Sequence, residues 1–153
     1  MIFNIPEWDT IEINTLVFNL NWTLAVSGEV SKDVEDKLSR LKELGYDMVL
    51  LSGDVRGNAK ELCNRLGIKF IRARTSEEKK NEIKKLNPET CAAIGNARID
   101  NWMFKEARVA IAVLQEEWIH VDVIKYTDLI LPSISDALNL FIDEKIFMWT
   151  MRP

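Results

Sequence analysis

Histidine occurs once in these 153 residues, cysteine twice, proline four times and glycine six times. A lone histidine excludes a multi-histidine metal centre: His120 has Glu116 at i−4, but no third ligand stands nearby. Two isolated thiols in apolar contexts, Cys63 and Cys91, read as reduced core cysteines rather than a redox pair or metal site. Gly/Ser-rich stretches, low-complexity segments and internal repeats are missing, which leaves no linker and predicts one domain over residues 1–153. There is no basic excess either: 20 Lys and Arg are interspersed with 24 Asp and Glu, for a formal charge of −4. That balance argues against a nucleic-acid face or a polybasic membrane patch. No apolar run approaches the roughly 20 residues of a membrane span. The opening MIFNIPEWDT also lacks the basic region of a signal peptide. A cytoplasmic protein is expected, with small molecules or proteins as partners. What the chain does have is apolar residues, 47% of the total. A chain of this length can bury about 68–70% of its unfolded surface.

The apolar residues are ordered. IFNIP and TIEIN alternate around the turn-prone EWD and predict an N-terminal β-hairpin or edge pair. NTLVFNL reads as a buried strand. From Ser31, a good N-cap, Val34, Leu38, Leu41 and Leu44 line one helical face until Gly45. YDMVLL is a strand of the continuously apolar kind, Ala59, Leu62, Cys63 and Leu66 stripe a helix ending at Gly67, and IKFI is again strand-like. A charged helix around EEKKNEIKKL, the strand TCAAIG, a helix near NWMFKEA and the strand VAIAV follow. A helix around WIHVDVIKY, the strand DLILP and a helix from Ser133 to about Phe141 complete the pattern. This β–α alternation predicts an α/β, three-layer, Rossmann-like fold with a mostly parallel sheet covered on both faces. In such sheets ligands bind at the carboxyl ends of strands, at a topological switch point.

Polar residues gather where that rule places a pocket. Asn19, Asn21 and Thr23 follow the first core strand; Ser52, Gly53 and Asp54 follow YDMVLL; Lys79 and Lys80 precede TCAAIG; Gly95, Asn96 and Asp100 follow it. Each also has a local reading. Asn19 and Asn21 can satisfy turn backbone groups, Ser52 can cap a strand end, and Asp54 and Asp100 can cap helices. Lys79 lies in a charge run whose default is a solvated face, with Lys80 as its competitor for the pocket.

Taken in order, VFNLNWTLA, LLSGD, the lysine before the fourth strand and AIGNARID resemble the four motifs of the haloacid dehalogenase superfamily of phosphohydrolases. They are most similar to its capless, soluble group related to the phosphorylation domain of P-type ATPases. The similarity runs from about residue 11 to 142, and no insertion between motifs is long enough for a cap domain. The resemblance implies a phosphoric monoester hydrolase working through an aspartyl-phosphate. In it a first aspartate attacks phosphorus, a second serves as acid and base, and Mg²⁺ is held by the first aspartate and an acid of the fourth motif. It maps Asn19 to the nucleophile, Asn21 to the acid/base, Trp22 to a glycine, Ser52, Gly53 and Lys79 to the phosphate-binding positions and Asp100 to the metal ligand.

The amides change the chemistry expected. A carboxamide is a far poorer nucleophile than a carboxylate and exchanges no proton near neutral pH, and the acid/base function alone is typically worth about 10²–10⁴ in rate. Mg²⁺ is usually held by carboxylates and phosphate oxygens, so Asn19 predicts weak metal binding. What remains, Lys79, the Ser52 hydroxyl and turn amides, is a candidate site for a small phosphorylated molecule or anion. Two readings stand: a catalytically impaired member with a binding or regulatory role, and an active Mg²⁺-dependent phosphatase that recruits another acid such as Asp54. The apolar tail FIDEKIFMWTMRP reads either as a last helix packed on its own sheet or as a homo-oligomer interface.

Overall fold

A computed structural model describes residues 1–54 and 57–153; Val55 and Arg56, just after the second motif, lie outside the described residues. The alternating segments at the N-terminus form an antiparallel pair, β1 (Ile2–Asn4) with β2 (Thr10–Glu12), in which Phe3 faces Ile11. The remaining strands build one parallel sheet: β3 (Thr15–Asn19), β4 (Asp47–Ser52), β5 (Lys69–Arg72), β6 (Cys91–Gly95), β7 (Val109–Val113) and β8 (Leu129–Leu131). Their spatial order is β5-β4-β3-β6-β7-β8. The chain winds outward from β3 on one side, then returns to β6 and winds outward on the other. The switch point lies between the carboxyl ends of β3 and β6, where a sheet of this type leaves a crevice.

Every residue of β3, β6 and β7 is buried, as expected of strands covered on both faces. Side-chain alternation sorts them into two cores. Leu16, Phe18, Leu50, Ile94 and Ile111 face α1 (Lys32–Glu43), α2 (Asn58–Leu66), α6 (Ile134–Ile142) and α7 (Glu144–Thr150). Val17, Val49, Leu51, Ala93 and Ala110 face α3 (Ser76–Lys85), α4 (Asn101–Glu106) and α5 (Val121–Ile124). Cys63 and Cys91 are buried free thiols.

The helix signals act locally as read. The Ser31 hydroxyl accepts the Val34 N–H at 3.3 Å, while Val34, Leu38 and Leu41 are buried. Beyond the helix Gly45 takes φ +91°, a conformation glycine adopts without strain. Two segments differ from or settle the expectations. The helix expected around WIHVDVIKY is a single turn, Val121–Ile124. Upstream of it Gln115 takes φ +46°, its N–H bonds to Pro132 O, and the His120 N–H bonds to Asn96 O, so residues 115–120 cross the sheet end as a tied loop. The apolar tail forms α7, and Phe147 packs on the hairpin with its ring 4.4 Å from that of Phe3. Ile146 and Trp149 of the same helix remain exposed. No described helix is long and apolar enough to cross a membrane.

Candidate functional site

The carboxyl ends of β3, β4 and β6 enclose a cleft of about 370 Å³, and Asn19, Asn21, Ser52, Gly53 and Lys79 all line it. Asn19 is the last residue of β3, and its side chain is held from both ends. Its Oδ1 accepts from Lys79 Nζ at 2.9 Å, and its Nδ2 donates to Asn21 O at 3.0 Å. The ammonium fixes that orientation, since only the amide oxygen can accept from it. Asn21 is exposed at the cleft mouth. Trp22 beside it takes φ +56°, left-handed backbone in which an indole residue is strained and a glycine is not. The turn is closed by Trp22 N–H to Ala25 O at 2.8 Å and Ala25 N–H to Leu20 O at 3.0 Å.

Lys79 belongs to a charged helix yet is 1% exposed, sharing the inward face with Ile83 one turn on. Its Nζ lies 2.6 Å from Asp100 Oδ1. The other oxygen of Asp100 accepts two backbone N–H groups, from Asn96 and Ala97, at 3.0 Å each. Asp100 thus pairs the lysine and closes the turn after β6. Gly95 is required by this packing, because a Cβ there would meet Asp100 Oδ2 at 2.5 Å. Lys80 points elsewhere, 3.6 Å from Glu77 and 4.4 Å over the ring of Trp102. Ser52 Oγ accepts the Asp54 N–H at 3.2 Å, and the Asp54 carboxylate accepts the Ala59 N–H near the start of α2 at 2.7 Å.

Asn96 is fully buried. Its Oδ1 accepts from Thr23 Oγ1 at 3.1 Å and its Nδ2 donates to Glu117 at 2.6 Å. Gln115 extends the network, donating to Thr23 O at 2.9 Å and accepting the Ile134 N–H at 3.1 Å. Glu117, which lines the cleft, was not legible in the sequence: it lies in a loop without periodicity, and its place is set by the left-handed backbone at Gln115. His120 Nδ1 accepts the Asp122 N–H at the start of α5. No group of three or more His, Cys, Asp or Glu side chains suited to a metal ion occurs among the described residues.

A model of the haloacid dehalogenase-like hydrolase family matches residues 4–108. A soluble P-type ATPase-like phosphatase from Methanocaldococcus jannaschii is 26% identical over 133 residues, 84% of this chain; the chain spans about half, 49%, of that relative's length. Among solved structures, 3-deoxy-D-manno-octulosonate 8-phosphate phosphatase from Moraxella catarrhalis, in complex with magnesium ion, phosphate ion and KDO, superposes with a TM-score of 0.73. It is 17% identical, with 90% of this chain and 91% of that one covered. A zinc-transporting PIB-type ATPase in its E2.Pi state is 24% identical with a TM-score of 0.67, covering 79% of this chain and 20% of the transporter. These structural likenesses show a shared fold. With the family match spanning more than half the residues, the chain belongs to the haloacid dehalogenase-like hydrolase family.

Proposed function

We propose that this chain is a single, capless haloacid dehalogenase-like unit that binds a phosphoryl group without hydrolysing it. The observation that carries the reading is the bonding of Asn19. At the position where the family's chemistry needs a charged nucleophile stands an amide, its oxygen taken by Lys79 and its nitrogen by Asn21 O. Asn21, with no titratable proton near neutral pH, cannot replace the acid and base.

The residues present fit Mg²⁺ poorly. Asp100, the carboxylate assigned to the metal, has both oxygens committed to three N–H donors, and Asn19 Oδ1 accepts an ammonium. A hard cation usually held by carboxylates finds none uncommitted at these two positions. A phosphoryl group could instead be held by the Ser52 hydroxyl, the Gly53 turn amide and Lys79 Nζ, as charge-assisted bonds that need no metal. Lys79 shares its charge with Asp100, and the carboxylates of Asp54 and Glu117 also line the cleft, so the expected affinity is modest. The role that follows is binding or regulatory, with a phosphorylated small molecule or protein as ligand. The exposed Ile146 and Trp149 leave α7 available to a second copy of the chain.

Glu117 favours one competing reading, a Mg²⁺-dependent phosphatase with a rerouted acid, because it brings a carboxylate into the cleft. Phosphate release from p-nitrophenyl phosphate, with Mg²⁺ and with chelator, separates the two. The proposal expects no metal-dependent release; turnover that Mg²⁺ restores and Glu117→Gln removes would establish the competitor.

A further inference from the structure

Among the described residues the buried charged side chains are Lys79 and Asp100, 1% and 0% exposed, and the lysine also meets Asn19, itself 9% exposed. Lys79 Nζ stands between Asp100 Oδ1 at 2.6 Å and Asn19 Oδ1 at 2.9 Å. With a C=O bond of about 1.23 Å, the Asn19 amide carbon Cγ is within about 4.1 Å of the lysine nitrogen. An amine, a carboxamide and a carboxylate able to carry protons are the complete set of reactants for transamidation, and here they are held together away from water. Groups positioned for attack react at about 3–3.5 Å with effective molarities of about 10⁵–10⁸ M, which leaves Nζ about 1 Å at most to travel.

We propose that Asn19 and Lys79 join in an intramolecular isopeptide bond, with Asp100 as the proton carrier. The ammonium gives a proton to Asp100 Oδ1 along the 2.6 Å contact, and the freed Nζ lone pair attacks Asn19 Cγ while the C=O pair moves onto Oδ1. The tetrahedral carbon then collapses with cleavage of its bond to Nδ2. Nδ2 takes the proton held by Asp100 and leaves as ammonia, Nζ passes its second proton to the restored carboxylate, and the ammonia carries that proton away as ammonium. The balance is one ammonium and one carboxamide in, one secondary amide and one ammonium out. The leaving nitrogen is held by Asn21 O at 3.0 Å and Thr23 Oγ1 at 3.4 Å, and Asn19 and Lys79 both line the cleft, which opens a route for ammonia to solvent. Dilution there makes the step one-way. Afterwards the new amide N–H stays beside Asp100 Oδ1, and the other oxygen keeps the Asn96 and Ala97 N–H groups, so the buried carboxylate remains hydrogen-bonded. The bond ties β3 to α3 between residues 60 apart and removes the Lys79 charge. It does not depend on the phosphoryl reading; an anion seated on Nζ holds the reaction back.

Intact-mass spectrometry of the full chain, kept folded at pH 8 in phosphate-free buffer and then denatured, tests this. The unaltered protein should weigh one ammonia less than its sequence, and a tryptic digest should yield a branched peptide that joins the Asn19 and Lys79 segments and is uncut after Lys79. Asp100→Asn should slow the mass loss by about a hundredfold or more, the lower bound of what an acid and base contribute. Should that variant misfold, Asn19→Ala decides, since it leaves Lys79 and Asp100 to pair and must keep its full mass. An unaltered chain at full mass, a loss of ammonia that persists in Asn19→Ala, a loss that leaves the two peptides separate, or the mass gain of simple amide hydrolysis would each overturn the bond.

Discussion

Lys79 shows how a single residue can look ordinary in sequence and unusual in place. It sits in SEEKKNEIKK among charges, and only its spacing to Ile83 and Leu86 marks the inward face; the fold then buries its ammonium between Asn19 and Asp100. Removing one member of a buried pair leaves the other uncompensated, so Lys79→Met should cost about 3–5 kcal/mol in chemical denaturation. A loss below about 1 kcal/mol would show that the pair is solvated. Asn19→Asp with Asn21→Asp should restore at most weak phosphatase activity, and adding Trp22→Gly, which relieves the left-handed tryptophan, should raise it further in the same assay. The cysteines offer a pH test. Burial pushes both thiols up to about 11 from an ordinary 9. Their folded values are raised, so the stability they contribute is complete below pH 9 and lost as pH rises through 11. Native protein at pH 8 should therefore react with a thiol reagent far more slowly than unfolded protein.

Among the elements, those set by local signals were legible. The Ser31 cap, the Gly45 and Gly67 stops and the continuously apolar strands appear where the sequence puts them, because propensity, periodicity and packing agree there. The segment after β7 was not legible as it stands. WIHVDVIKY carries apolar residues at helical spacing, but Gln115 and Asn96 tie its approach across the sheet end, and one helical turn remains while Trp118 is 87% exposed. Gln115→Ala removes two bonds that join this loop to the Asn19 turn and to α6. Faster amide hydrogen exchange is expected at Ile134, whose N–H loses its acceptor, with little change in the strands. Helix α7 owes its position to Phe147, enclosed by Phe3 and Phe141. Phe147→Ala should cost about 3–5 kcal/mol, the usual range for a buried phenylalanine.

For the molecule as a whole, the sheet order brings residues far apart in sequence into one cleft. Asn19 and Asp100 follow from β3 and β6 on either side of the switch point, and Lys79 bonds both from α3. Strand alternation foretold that architecture, and motif order foretold which strand ends face the cleft. The place of Glu117 depends on loop geometry that no periodic pattern encodes. If the cleft holds its own cation in Lys79 and offers Mg²⁺ no uncommitted oxygen from Asn19 or Asp100, the melting temperature should be the same in millimolar Mg²⁺ and in chelator. A ligand bound only by the native state would raise it. The most direct measurement is incubation of the protein with ³²P-labelled acetyl phosphate and Mg²⁺, followed by acid quench and counting of label on the chain. The proposed loss of the nucleophile predicts no covalent label above a heat-denatured control; stoichiometric, acid-stable and base-labile label would contradict it.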